Sequence, residues 1–145
     1  MPTYYVMELG KTMPATVLPF QPSAAEIQAC KWLTERELSV YTEAFGRTGF
    51  QGALQAYRVF SDPNLNAELR LFSGQTINVP SLFIGGTCDW GTYAAPGALD
   101  LLRTKAMTRL EGIEFIEHAG HWIQQEQPVR LGQLLLDFVN EVAET

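Results

Sequence analysis

Basic residues are scarce in this chain: ten Lys and Arg stand against sixteen Asp and Glu, a formal net charge of −6. With no Lys/Arg cluster to offset it, that balance disfavours nucleic acid or an anionic membrane as partner. Cysteine is scarcer still. Cys30 and Cys88 are the only two; they are far apart and fit no metal spacing, so reduced thiols and a cytoplasmic location are expected. No basic stretch leads into an apolar one near residue 1, and no apolar run approaches the roughly 18 residues that span a bilayer. Neither a leader nor a membrane span is therefore expected. Repeats, low-complexity tracts, a Walker loop, a zinc spacing and a dinucleotide fingerprint are also missing, and no cofactor or metal is predicted.

What is present suits a globular chain with a core: 145 residues, 46% apolar and 18% charged. Residues 1–22 are chopped by Pro2, Gly10, Pro14, Pro19 and Pro22 after a short aromatic burst at Tyr4 and Tyr5. Beyond them the punctuation is clear. Ser23 with Glu26 and Thr34 with Glu37 are capping boxes, each opening a helix. The first should run to Trp32. The second has Leu38, Tyr41 and Phe45 on one face and should end at Gly46 or Gly49. Further short helices are expected over residues 53–60 and 67–72, separated by the turn Ser61-Asp62-Pro63-Asn64.

The pattern changes from residue 77. Residues 79–84 form a nearly continuous apolar run ending in Gly85-Gly86, as expected of a strand buried on both faces of a parallel sheet. A helix over about 96–104, a strand over 113–117 and a final helix opening at Pro128 follow. Leu131, Leu134, Leu135, Phe138 and Val142 line one side of that last helix. This is βαβ order, the pattern of an open parallel sheet. Two such strands need neighbours that this stretch does not contain.

Two polar residues stand just past the strands: Asp89, after the glycine pair, and His121, in Gly120-His121-Trp122. An acid that orients an imidazole fixes its tautomer and stabilises the imidazolium formed when it takes a proton. Each residue also has an ordinary reading, a turn or cap for Asp89 and a surface position for His121. His118 reads as a loop residue. Glu111, Glu114 and Glu117 read as a solvated edge rather than a metal site.

These features together resemble an α/β-hydrolase. The stretch Gly49-Phe50-Gln51-Gly52-Ala53-Leu54-Gln55-Ala56-Tyr57-Arg58 is similar to the lid motif of epoxide hydrolases, Gly-Phe-x-Gly-x-Leu-x-x-Tyr-Arg. The resemblance implies an α/β fold: the C-terminal part of the hydrolase core, with about two parallel strands and flanking helices over 75–145. A mostly helical lid over 1–74 precedes it. It implies Asp89 as triad acid, His121 as triad base, Tyr57 as a lid tyrosine and, on a looser match, Tyr5 as the second. Trp90, Trp122 and Phe50 would line the substrate pocket. In that family an aspartate attacks an epoxide carbon while two tyrosines hydrogen-bond the leaving oxygen. The histidine then activates the water that hydrolyses the ester. The partner implied is a small hydrophobic, epoxide-like substrate.

One departure is large: no Gly-x-Asp/Ser-x-Gly nucleophile turn occurs in the sequence. The chain is therefore expected to be truncated, inactive alone, and prone to self-association or to pairing with a missing N-terminal half. The alternatives are a non-catalytic, partner-dependent hydrolase fragment and a haloalkane dehalogenase-like or esterase-like hydrolase. A tyrosine beside Leu54 also suits a core, and an aromatic burst at Tyr5 needs no function.

Overall fold

The structure is a computed structural model and describes residues 8–144. Tyr5 lies outside the described residues. By its contacts the chain divides into two compact units, residues 1–32 and 33–145.

In the first unit, α1 (Met13–Val17) and a 3-10 turn (Leu18–Phe20) occupy the proline-rich stretch, for which the punctuation bounded no individual element. Proline in a first turn explains it, since the missing N–H would be unpaired there anyway. Helix α2 (Ala24–Ala29) opens at the Ser23/Glu26 capping box, with both reciprocal bonds made. It stops at Cys30, short of the expected Trp32.

The second unit starts with α3 (Glu35–Thr48), opened by the Thr34/Glu37 box. Gly46 is tolerated inside it, and Gly49 ends it at φ +66°, a left-handed value that favours glycine. The Glu37 carboxyl titrates below its ordinary range because it accepts the Thr34 amide and then the Thr34 hydroxyl. A folded value below the unfolded one adds stability above the usual glutamate range, lost as pH falls through the folded value. Acid should therefore fray α3 at its N-terminus. Circular dichroism should show this step in the parent chain and a smaller one in Glu37→Gln.

Helix α4 (Gln55–Ser61) and a 3-10 segment (Ala67–Phe72) follow. Within the lid-like motif, Phe50 stacks on Phe45 with centroids 4.5 Å apart. Arg58 donates to the Gln51 side-chain carbonyl at 2.6 Å, so the motif ties its own loop to its own helix.

Strand β1 (Ser81–Gly86) pairs in parallel with β2 (Leu110–Ile116), in register Ile84 with Glu114 and Gly86 with Ile116. The crossover between them holds α5 (Trp90–Tyr93), α6 (Ala98–Leu101) and a π-helical turn (Leu102–Ala106). After β2 come α7 (Ile123–Glu126) and the long α8 (Pro128–Ala143). The core sits where α8 covers the sheet: Ile116, Ala119 and Leu134 are buried, with Ile84, Ile123 and Leu131 packed on them. Much of the remaining apolar surface is open. Val129, Leu136 and Val139 on α8 are 86, 61 and 59% exposed.

Gly132 lies inside α8, and a methyl group there would meet nothing within 4 Å. Gly132→Ala should therefore raise stability by about 0.5–1 kcal/mol, the usual gain from replacing a mid-helix glycine. A thermal melt reads it.

Candidate active site

The site forms where the loops after β1 and β2 cross. Thr87 donates its N–H to the Ile116 carbonyl at 3.0 Å, and Cys88 donates to Ala119 at 2.9 Å. In return, His118, held at φ +60°, donates its N–H to the Thr87 hydroxyl at 3.0 Å. The strand tips are thus stitched together just below the polar residues.

Gly86 makes this approach possible. A Cβ at that position would lie 2.2 Å from the Ala119 carbonyl oxygen and 2.4 Å from that of Gly120. Both are backbone atoms that cannot rotate away.

Asp89 caps α5 by accepting the Gly91 N–H on Oδ1 at 2.8 Å. Its other oxygen, Oδ2, lies 3.1 Å from Nδ1 of His121. The acid side chain is only 13% exposed and the imidazole 57%, so a shielded carboxylate holds an accessible base. With the carboxylate accepting from Nδ1–H, the lone pair is left at Nε2, the nitrogen able to take a proton. Trp122 meets the imidazole edge-on, with centroids 5.4 Å apart.

A cavity of about 390 Å³ opens beside this pair. Phe83, Ile84, Thr92 and Ile123 help to wall it, together with Asp89 and His121. Trp90, Trp122 and Phe50 are not in its wall. Tyr57 on α4 is 73% exposed. It makes no hydrogen bond to Asp89 or His121 among the described residues. Cys30 and Cys88 are free thiols, and no group of acidic, histidine and cysteine residues suited to a metal occurs among the described residues.

Two residues at the site carried no signal in the sequence reading. Neither Thr87 nor Glu126 belongs to any motif read from the sequence. Glu126 accepts the N–H groups of Gly120 and Trp122, on either side of His121. A further contact joins α3 to the same region: Gln125 donates its amide to the Tyr41 hydroxyl at 2.7 Å.

No protein-family model matches the chain. Individual proteins do. The chain is 39% identical over 108 residues to epoxide hydrolase B of Mycobacterium tuberculosis, an alignment covering 74% of this chain and 30% of that protein. It is 37% identical over 115 residues to epoxide hydrolase 3 of Siraitia grosvenorii, covering 76% and 35% respectively. Among solved structures, an epoxide hydrolase from an endophytic Streptomyces superposes with a TM-score of 0.83 at 31% identity, over 100% of this chain and 42% of that one. Potato (Solanum tuberosum) epoxide hydrolase I gives 0.73 at 29% identity, covering 93% and 41%.

The strand tips bearing an acid and a histidine, with the likeness to these structures, define an α/β-hydrolase fold. Within that superfamily the chain is epoxide hydrolase-like, and its sequence relatives are epoxide hydrolases. It spans about a third of the length of the curated relatives it matches.

Proposed function

We propose that this chain supplies the acid, the base and part of the lid of an epoxide hydrolase. The observation that carries the reading is the 3.1 Å contact between Asp89 and His121 at the wall of a largely apolar cavity. In this reading residues 1–74 form the lid segment and residues 75–145 belong to the hydrolase core. An aspartate from another segment attacks an epoxide carbon, the C–O bond breaks, and an ester to the enzyme forms. Tyr57 donates a hydrogen bond to the leaving oxygen, with Tyr5 as the second phenol. His121 Nε2 then takes a proton from water while Asp89 stabilises the imidazolium. The hydroxide adds to the ester carbonyl, the acyl C–O bond breaks to free the aspartate, and the diol leaves as the imidazolium gives up its proton to balance the one taken by the product oxygen. Trp90, Trp122 and Phe50 belong to the substrate's surroundings in this reading. A small hydrophobic epoxide suits the apolar wall, and two free thiols suit a cytoplasmic setting.

The chain alone contains no nucleophile turn, so it is inactive by itself in this reading. The test is a chimera in which this chain replaces the stretch it matches in epoxide hydrolase B. A folded chimera should turn over a styrene-oxide-type substrate, and His121→Gln should abolish that turnover. A folded chimera without turnover would sink the proposal and favour the non-catalytic fragment.

The open edges of the two-stranded sheet and the exposed apolar side of α8 are, in the same reading, surfaces for the remainder of the hydrolase. Without it the chain should self-associate. Size-exclusion chromatography should show a mass that rises with concentration; a monomer at all concentrations would contradict this. Among the described residues no helix is long and apolar enough to cross a membrane.

A further inference from the structure

The Glu126 carboxylate does not touch the imidazole's partner, yet it holds the backbone on both sides of His121. Oε2 accepts the Gly120 N–H at 2.7 Å, and Oε1 accepts the Trp122 N–H at 3.0 Å. Bonds from backbone amides to a carboxylate are short and stronger than neutral ones. Neither amide donates to another backbone group among the described residues, so without Glu126 both would need new partners. The arrangement is closed on itself, because the Glu126 N–H donates to the Trp122 carbonyl at 2.9 Å. Gly120 also lies close against the carboxylate: a Cβ there would stand 3.0 Å from Oε1. The side chain is half-buried, which shields these bonds from water.

We propose that Glu126 is a positioning residue for the base. By fixing the peptide groups on either side of His121, it keeps Nδ1 within reach of Asp89 and so keeps the proton on Nδ1. The inference rests on the reading of Asp89 and His121 as a working pair. A residue that only capped α7 would affect that short helix and leave the imidazole's tautomer alone.

The chain has two histidines, His118 and His121, so selective ¹⁵N labelling of histidine gives a direct readout. Ring-nitrogen shifts are recorded on the full chain at alkaline pH, where imidazoles are neutral. In the parent chain His121 should carry its proton on Nδ1. Glu126→Ala should move that proton toward Nε2 while the His118 signals stay in place. Glu126→Gln keeps the volume and one acceptor oxygen, and should give a partial move, so it decides the matter if the alanine variant does not fold. His121 signals unchanged in the glutamine variant, or His118 and His121 moving together, would overturn the proposal. A parent chain with the His121 proton already on Nε2 would instead overturn the Asp89–His121 pairing itself, and the role of Glu126 with it.

Discussion

Gly86→Ala should lower the melting temperature by several degrees and separate His121 from Asp89. The added methyl group would sit 2.2 Å from the Ala119 carbonyl oxygen, well inside contact distance. Since that oxygen is backbone, either β1 or the loop after β2 must shift. Ala119 is fully buried in the small core beside Ile116, so the loop has little room to give. A shift also stretches the Cys88–Ala119 hydrogen bond, which joins the two loops one residue before Asp89. Overpacking of this kind costs about 1–3 kcal/mol, and each kcal/mol moves the midpoint by roughly 2–4 °C or more in a domain of this size. Thermal denaturation reads the stability, and the ¹⁵N signature of His121 reads the geometry. Gly132→Ala is the matched control, since its Cβ meets nothing within 4 Å. If Gly86→Ala melted like the parent with the His121 tautomer intact, the close crossing of the two loops would be wrong.

Asp89→Asn should cut turnover of the chimera by about 10⁴-fold, the order seen when a triad acid becomes an amide and the histidine takes the wrong tautomer. The substitution preserves much of the local structure. The asparagine oxygen still accepts the Gly91 N–H that caps α5. Its NH₂ group then faces Nδ1 of His121, which must accept, and the ring proton moves to Nε2. An imidazole protonated there has no lone pair with which to activate water. Ester formation by the supplied aspartate needs no such base, so in the proposed mechanism the first step survives and the second stalls. Rapid-quench or mass measurement should find the chimera trapped as its ester. An Asp89→Asn chimera with near-parent steady turnover would remove Asp89 from the mechanism.

Local chemistry wrote most of the elements legibly. Both capping boxes form with all their reciprocal bonds, because a hydroxyl and a carboxylate three residues apart satisfy orphan amides without help from the rest of the chain. Pro128 opens α8, and the apolar run ending in Gly85-Gly86 is a strand paired in parallel. Boundaries were less legible. Strand β2 starts at Leu110 rather than 113, since pairing with β1 decides where a strand begins. The crossover helix expected over about 96–104 lies two residues later, as α6 continued by a π-helical turn to Ala106. Short α5 and α7 went unseen because each is one turn long, too short for periodicity; only the Asp89 cap hinted at the first.

The sequence by itself determined the order of the longer helices and the two strands, the Gly-Phe-x-Gly-x-Leu-x-x-Tyr-Arg stretch, and which acid and which imidazole stand just past the strands. Those properties depend on neighbours within a few residues. Only the tertiary structure decided that Asp89 and His121, 32 residues apart, stand 3.1 Å from each other. It also decided that Gly86 must be glycine and that Glu126 grips the loop carrying His121. The first two depend on parallel pairing of β1 with β2, which brings distant loops together, and no short-range pattern in the chain records that distance. The Glu126 bonds span only four and six residues, but they form only once the loop has folded back on α7.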